Sequence, residues 1–150
     1  MPGSNLAYLT DAAFTFESAA ALPSFKSRTG DEHLDNVEIA WMLDQQRMEF
    51  ARHVGWWSYL TGGLLGMLVS TQIDYLHELW ADRPILIGAA IGDVGSSSYS
   101  IVQAVRQSDQ VVAVARTVLV LVGPNGAQKI ASDMRSLMEG AKLGVPEPCA

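Results

Sequence analysis

One segment of the chain, residues 30–50, joins a cluster of ionisable groups to a run of large apolar residues. Asp35 and Glu38 stand three residues apart, which is the spacing of a capping box, and they predict a helix that begins at Asn36 and extends to about Val54. Apolar residues fall on two faces of this helix: Val37, Trp41, Met48 and Ala51 on one, and Ile39, Met42, Leu43 and Phe50 on the other. A helix that is apolar on more than one face has to be buried. The remaining chain must therefore supply a layer that wraps it.

The segments after the helix predict that layer. Long apolar and β-branched runs over residues 64–76, 85–94, 96–106 and 111–122 indicate four strands, with turns at 107–110 and 123–126. Before the helix, residues 13–18 and 24–29 alternate apolar and polar side chains, as a half-buried strand does, and a turn at 30–31 ends them. A short amphipathic helix is predicted over residues 128–139, and residues 1–11 and 143–150 are expected to be loose. One long helix followed by an antiparallel meander is an α+β architecture in a single domain.

Composition narrows the function and the cellular setting. The 150 residues have a net charge of −6, which argues against a general nucleic-acid binder, because such proteins show a basic patch. Cys149 is the single cysteine, so an internal disulfide is impossible, and a reducing cytoplasm is expected. No apolar run reaches the ~18–20 residues of a membrane span, and the N-terminus lacks the basic start of a signal peptide. We expect a cytoplasmic protein that does not bind membranes.

A family resemblance appears at the start of the helix. Residues 33–36, His-Leu-Asp-Asn, resemble the last four residues of the Gly-His-Val-Asn-Asn pattern of the hot-dog thioesterases, in the 4-hydroxybenzoyl-CoA thioesterase-like branch. Continuing without a gap, Ile39 stands at that branch's Tyr position, Asp44 at its first acidic helix position and Arg47 at its Arg. The resemblance covers about residues 25–140 and implies a hot-dog fold, in which an antiparallel sheet wraps one long central helix.

The chain departs from that family pattern in the loop before the helix. The branch places its catalytic Asp four residues before the His, and Thr29 stands there in this chain. Glu32 replaces the Gly before the His, and Asp35 replaces an Asn. Asp31, two residues before His33, is the nearest carboxylate, and it can fill the catalytic role if the loop is two residues shorter.

The resemblance implies three catalytic residues. The backbone N–H of Asn36, at the positive end of the helix dipole, would stabilise the charge on a thioester carbonyl oxygen, with Val37 as the alternative donor. Asp31 would attack the thioester or activate water, and His33 would orient the carbonyl or the carboxylate. Four further carboxylates are rivals of Asp31: Glu32, Asp35, Glu38 and Asp44.

Four residues are predicted to contact the substrate. Val37 and Trp41 lie in the first turns of the helix, and Ser97 and Ser98 offer hydroxyl groups to a pantetheine arm or border a strand. The Trp56-Trp57 pair belongs to the core, walls the acyl site or forms a dimer contact. Arg47 and Asp44, at a spacing of three, are interpreted as a structural ion pair.

The function implied by the resemblance is hydrolysis of an acyl-CoA or acyl-carrier-protein thioester in a homodimer or homotetramer whose sheets pair edge to edge. No cofactor is expected, and no metal, because the sequence has neither a CxxC nor an HExxH motif. Two alternatives stay open. One is a non-catalytic protein of the same fold that binds acyl thioesters, which the missing carboxylate at Thr29 favours, and the other is a hot-dog dehydratase or hydratase.

Overall fold

A curled antiparallel sheet packs against one long helix in the computed structural model, which describes residues 5–24 and 30–144. The strands follow the order β1-β3-β4-β5-β2, with β6 paired to β5. The elements are β1 Phe16–Ala19, α1 Asn36–Val54, β2 Leu65–Tyr75, β3 Leu86–Val94, β4 Ser98–Gln107, β5 Gln110–Gly123, β6 Gly126–Ala127 and α2 Ser132–Glu139, with 3₁₀ turns at Ala7–Thr10 and Trp56–Tyr59. The predicted α+β class and the central helix are confirmed.

Most of the predicted strands and turns are confirmed with small shifts. The turn between β4 and β5 places Ser108 and Asp109 at φ 51° and 61°, and this left-handed backbone suits a two-residue hairpin. The second helix begins at Ser132, later than the predicted residue 128. Of the alternating segment 24–29, residues 25–29 lie outside the described residues.

The concave face of the sheet holds α1. Four of its large apolar residues are buried against β3, β4 and β5: Ile39, Met42, Leu43 and Phe50. The expectation that the helix is buried on both apolar faces is wrong for the single chain, because Val37 is 42% exposed and Trp41 is only partly buried. One flank of α1 therefore stays open in the monomer.

The convex face of the sheet is covered by the N-terminal segment. Leu6 and Leu9 are 1% and 0% exposed, and they pack with Ala90, Val102 and Val114. The prediction of a loose lead-in is therefore wrong for residues 5–11, since the segment buries apolar surface that the sheet alone would leave in water. At the other terminus, residues 143 and 144 hydrogen-bond or pair with β3 and the segment before β1, and residues 145–150 lie outside the described residues.

Buried amide side chains tie α1 to the sheet. Gln103 of β4 is 0% exposed, and its Nε2 donates to the Leu43 carbonyl oxygen at 3.0 Å and to Gln46 Oε1 at 2.8 Å. The Gln46 Nε2 donates in turn to the Ile87 carbonyl oxygen of β3 at 2.8 Å. Arg47 Nη1 lies 3.3 Å from Gln103 Oε1. Since hydrogen bonds are directional and apolar contacts are not, these amides fix where along its axis the helix rests on the sheet.

We expect Gln103→Met to lower the free energy of unfolding by about 1–3 kcal/mol, because it leaves Arg47 and Gln46 with buried polar groups that have lost a partner. Urea denaturation of the variant and the wild type measures this. The matched control is Gln110→Met, at an exposed position, which should stay within about 0.5 kcal/mol of the wild type. Equal stability of the two variants would show that the network does not anchor the helix.

Candidate functional site

The first turn of α1 is capped by two carboxylates. Asp35 Oδ1 accepts hydrogen bonds from the Val37 and Glu38 N–H groups, both at 3.0 Å, and Glu38 Oε1 accepts from the Asp35 N–H at 3.0 Å. This is the predicted capping box. Because Asp35 and Glu38 are committed to the cap, and Glu38 is buried, both are poor rivals for a catalytic carboxylate.

The cap leaves one amide of the first turn available. The Ile39 N–H is bonded to the Asp35 carbonyl oxygen, and the Val37 N–H is occupied by the Asp35 side chain. The Asn36 N–H has no acceptor among the residues that the structure describes. Of the two predicted oxyanion donors, Asn36 is thus the available one.

An open cavity of about 500 Å³ adjoins this amide, and we call it the N-terminal cavity. Its lining comes from the loop before α1, the first turns of the helix, the end of β2 and the loop that follows: His33, Leu34, Asp35, Asn36, Ile39, Tyr75, Leu76, His77, Glu78 and Leu79. A polar helix terminus at the edge of a cavity is an arrangement that binds developing negative charge.

The loop before the helix is held by a short antiparallel pairing with residues 79–81. The Leu34 N–H donates to the Leu79 carbonyl oxygen at 2.8 Å, and the Ala81 N–H donates to the Glu32 carbonyl oxygen at 2.7 Å. The His33 ring lies 5.4 Å from the Trp80 ring. Asp31 Oδ1 accepts the His33 N–H at 2.8 Å, which closes the turn.

Gln107, at the end of β4, fixes this pairing to the sheet. Its Oε1 accepts the Trp80 N–H at 2.9 Å, and its Nε2 donates to the Trp80 carbonyl oxygen at 2.7 Å. A buried glutamine that holds both backbone groups of Trp80 determines where His33 lies. Sequence reasoning missed Gln107 because a Gln at the end of a strand has no distinctive pattern.

A second cavity, which we call the aromatic cavity, lies between the C-terminal half of α1 and the sheet and has a volume of about 230 Å³. Its walls come from the helix, the Trp56–Tyr59 turn and its neighbour, and strands β2, β4 and β5: Asp44, Arg47, Met48, Ala51, Trp56, Trp57, Leu60, Gly66, Leu68, Tyr99, Ile101 and Leu119. Apart from Asp44, Arg47 and the Tyr99 hydroxyl, these side chains are apolar or aromatic.

Asp44 and Arg47 provide the charged groups of the aromatic cavity. Arg47 Nη2 lies 3.3 Å from Asp44 Oδ1, as the sequence predicted for this pair. Burial lowers the pKa of the Arg47 guanidinium, and the negative charge of Asp44 acts in the opposite direction. The Asp44 side chain is 54% exposed, so this carboxylate is accessible from solvent as well as from the cavity.

Tyr99 extends along the floor of the aromatic cavity toward β2. Any side chain at Gly66 would overlap the Tyr99 hydroxyl, so glycine is required for this close approach. Burial raises the pKa of the Tyr99 hydroxyl to about 12, and a hydrogen bond with Trp56 opposes that shift.

The structure brings some of the predicted site residues together and separates others. His33 and Asn36 line the N-terminal cavity, whereas Asp31 is exposed and is not part of that lining. Val37 and Trp41 follow on the open flank of α1.

Ser97 and Ser98, which are predicted to contact the substrate, are separated from the helix start within one chain. The two serines lie at the beginning of β4, whereas Gln107, which holds the loop of the N-terminal cavity, lies at its end. Ser98 and Gln107 are nine positions apart on the strand, which corresponds to about 30 Å of extended chain.

Two further observations bear on the class of site. No group of three or more His, Cys, Asp or Glu side chains that could hold a metal ion occurs within residues 5–24 and 30–144. No helix in the same ranges is both long enough and apolar enough to cross a membrane.

Solved structures share this fold at low sequence identity. A Pseudomonas aeruginosa protein superimposes with a TM-score of 0.74 at 17% identity, over 89% of this chain and 95% of its own. A predicted thioesterase from Bacillus stearothermophilus gives 0.71 at 18%, over 89% and 98%. A thioesterase from Thermus thermophilus, solved in complex with coenzyme A and zinc, gives 0.73 at 15%, over 89% and 97%.

The sequence itself matches no family model and no curated protein. The fold is that of the hot-dog thioesterases, and the match to these structures establishes the fold alone.

We expect the free energy of unfolding to fall between pH 10 and pH 12 in part because of Tyr99, whose pKa rises from about 10 in the unfolded chain to about 12 in the fold. In this interval the unfolded state loses the proton and the folded state keeps it, so rising pH favours unfolding, by on the order of 2–3 kcal/mol in total. Below pH ~10 this contribution is constant.

Chemical denaturation of the wild type and Tyr99→Phe at several pH values measures the effect. The variant should lose less stability over this interval, whereas Tyr8→Phe, at an exposed tyrosine, should behave as the wild type does. Identical pH dependence in Tyr99→Phe and the wild type would contradict the assignment.

Proposed function

We propose that this protein hydrolyses an acyl thioester, carried by coenzyme A or by an acyl carrier protein, to a free acid and a thiol. The observation that carries the proposal is the Asn36 N–H, which has no acceptor among the described residues and opens onto the N-terminal cavity. Thioesterases of the same fold support it, and the coenzyme A in the Thermus thermophilus structure favours acyl-CoA as the substrate.

The Asn36 N–H acts on the thioester carbonyl oxygen. As water adds to the carbonyl carbon, negative charge develops on that oxygen, and an amide at the positive end of the helix dipole stabilises it. A carboxylate takes the proton from the water, the C–S bond breaks, and the thiolate leaves and is protonated. His33 orients the carbonyl or the carboxylate, while Val37 and Trp41 contact the substrate beside the helix.

A second copy of the chain completes the site. Asp44 follows Asn36 by eight residues, so the two are about 12 Å apart along α1, beyond hydrogen-bond reach of the same carbonyl group. The Leu65 end of β2 lies beside the aromatic cavity, and its Tyr75 end lies beside the N-terminal cavity. Antiparallel pairing of β2 with the same strand of a second copy places each aromatic cavity next to the partner's N-terminal cavity.

The exposed edge of β2 supports this pairing. Within the described residues, β2 pairs with no strand other than β5, so it forms one edge of the sheet. Four apolar residues of the strand are between 46% and 53% exposed: Leu65, Met67, Leu68 and Val69. We propose a homodimer through this edge, with a tetramer as the alternative assembly built on the same interface, in the cytoplasm.

The catalytic carboxylate is Asp31 in this proposal, and Asp44 of a second copy is its rival. Asp31 is adjacent to His33 in the loop, although its Oδ1 already accepts a hydrogen bond from the His33 N–H. Asp44 lines a cavity that the dimer would place near the partner's helix start.

A non-catalytic acyl-thioester-binding protein is the second candidate. Asp31 lies outside the lining of the N-terminal cavity, and the usual position of the family carboxylate holds Thr29. Such a protein would bind acyl-CoA and release no free thiol.

Paired substitutions identify the carboxylate. We expect Asp31→Asn to lower kcat by about 10²–10⁴-fold, the contribution of a general base, with thiol release measured over a panel of acyl-CoAs. Asp44→Asn is the parallel variant, and Asp82→Asn, at an exposed position that lines neither cavity, is the control. Unchanged rates in Asp31→Asn with a loss in Asp44→Asn would assign the role to the helix carboxylate. Wild-type protein that binds acyl-CoA without thiol release would favour the binding protein.

Val69→Glu tests the dimer. Val69 is 53% exposed on β2. In the proposed dimer, a carboxylate at this position would face the same carboxylate of the second copy or an apolar residue across the edge, and both arrangements disfavour pairing of the strands. We expect the variant to be monomeric by light scattering coupled to size exclusion and to lose thioesterase activity while keeping its fold by circular dichroism. Leu22→Glu, at an apolar residue that is similarly exposed but outside β2, should stay dimeric. A Val69→Glu protein that remains dimeric would contradict this interface.

A further inference from the structure

We propose that Gln107 is the positioning residue of the N-terminal cavity. Its side chain is 5% exposed and is not part of the lining of that cavity, so it acts through the residues that it holds and not by contact with a substrate. The inference rests on the proposed function and adds to it a residue that sets the rate of the reaction from outside the site.

The amide group of Gln107 is bonded to backbone through both of its polar atoms. Oε1 accepts the Trp80 N–H at 2.9 Å, while Nε2 donates to the Trp80 carbonyl oxygen at 2.7 Å and to the Arg83 carbonyl oxygen at 3.2 Å. An amide offers a donor and an acceptor at the same time, whereas a carboxylate offers acceptors only and an apolar side chain offers neither. These three hydrogen bonds therefore need an amide at this position.

Gln107 joins the loop after β2 to the sheet. We call residues 78–84 the Trp80 loop. Within residues 5–24 and 30–144, every hydrogen bond between this loop and a strand of the sheet involves the Gln107 side chain. Leu79, which is 1% exposed, adds apolar burial, but burial is non-directional and does not fix the position of a backbone. The amide therefore decides where the Trp80 loop lies against β4.

The Trp80 loop passes this position on to His33. Both neighbours of His33 are bonded to the loop: the Glu32 carbonyl oxygen accepts a backbone N–H of the loop at 2.7 Å, and the Leu34 N–H donates to a loop carbonyl oxygen at 2.8 Å. The His33 ring lies 5.4 Å from the Trp80 ring, and Glu78 of the same loop lines the N-terminal cavity. A displacement of the loop therefore displaces His33 and one wall of the cavity together.

Strand β4 links this loop to the helix. Gln103 and Gln107 stand four positions apart on β4, so their side chains point to the same face of the sheet, about 13 Å apart along the strand. Gln103 bonds the backbone of α1, and Gln107 bonds the Trp80 loop. The strand thus sets the position of His33 relative to the Asn36 N–H. A displacement of ~1 Å at a reacting centre can lower a rate by ~10²-fold.

The test begins with Gln107→Met, which keeps the size of the side chain and removes both hydrogen-bonding atoms. We expect kcat for thiol release from acyl-CoA to fall by about 10- to 10²-fold, with a much smaller change in KM, because the groups around the reacting carbonyl are displaced. Gln110→Met, at the exposed glutamine on the other side of the same hairpin, is the control and should keep the wild-type kcat. Circular dichroism confirms that both variants are folded. A wild-type kcat in Gln107→Met would overturn the inference.

Gln107→Glu separates positioning from a general loss of packing. A protonated carboxyl group again offers one donor and one acceptor to the Trp80 backbone, whereas the carboxylate turns a negative charge toward carbonyl oxygens. Burial and those oxygens raise the pKa of a glutamate at this position above its ordinary ~4.3. The charged side chains of the surrounding elements are two of each sign: Asp82, Arg83, Arg106 and Asp109.

The ratio of the Gln107→Glu kcat to the wild-type kcat should therefore rise as the pH falls through that raised pKa. The same ratio for Gln110→Glu should stay constant, because that side chain is exposed. Both ratios are measured where circular dichroism shows folded protein. A Gln107→Glu ratio that is independent of pH would contradict the role of the amide.

Nuclear magnetic resonance of the histidine ring protons keeps this inference separate from the proposed function. The Trp80 ring current shifts the His33 signals in the wild type, and His33→Asn identifies them. A wild type that releases no thiol rejects the proposed function, and the positioning role is then judged on these signals alone. Signals that move in Gln107→Met and stay in place in Gln110→Met support it. Signals that are the same in all three proteins reject it, whether or not hydrolysis occurs.

Discussion

The hydrogen bonds of Gln103 and Gln46 hold α1 at a fixed position on the sheet, and both cavities depend on that position. Apolar packing buries the helix but does not by itself specify its direction and position, because the hydrophobic effect is non-directional. A buried amide does specify them, since a shift of the helix would leave polar groups without partners. With the middle of the helix fixed to β3 and β4, its N-terminus meets the loop held by Gln107, and its C-terminus directs Gly55 and Trp56 over the end of the sheet.

The same anchoring keeps the two cavities of one chain apart. The helix is 19 residues long, about 28 Å, and the N-terminal and aromatic cavities adjoin different parts of it. A thioester at Asn36 therefore cannot reach the apolar pocket of its own chain without crossing several turns of helix. The open flank of α1, with Val37 exposed, and the exposed apolar residues of β2 lie on the side where a second copy would bring the two cavities together.

The elements of the fold were largely predictable from the sequence, because they depend on local patterns. Asp35 and Glu38 specify the helix start through hydrogen bonds that span three residues, and the β4–β5 hairpin follows from a polar pair between β-branched runs. The burial of Leu6 and Leu9 was not predictable in this way. Their contact with β3, β4 and β5 depends on a convex sheet surface that exists only after the fold has formed.

Of the candidate site, only the helix terminus could be predicted from the sequence. Asn36 follows from the cap, which is local, whereas the position of Ser97 and Ser98 relative to the helix start depends on which end of β4 faces the loop, and the sequence does not show this. The aromatic cavity has no sequence signature, because its walls come from α1, the turn after it and three strands. Gln107 was missed for the same reason: its role arises from the Trp80 backbone, 27 residues away in the chain.

Thr29 stands where the resembling thioesterases have a carboxylate, and the geometry of the loop shows what a carboxylate elsewhere would have to reach. A carboxylate four residues before His33 is one way to place a base near the Asn36 N–H, and a loop that pairs with residues 79–81 restricts how far Asp31 can move toward that amide. In the proposed dimer, the helix of a second copy would offer another route, since Asp44 is fixed beside Arg47, and Arg47 is in contact with the buried Gln103. Asp31 would be positioned by the turn before His33, whereas Asp44 would be positioned by the helix that the buried amides anchor. A base held by the helix would not depend on the length of the loop, and this would allow the loop to have Thr29 four residues before His33.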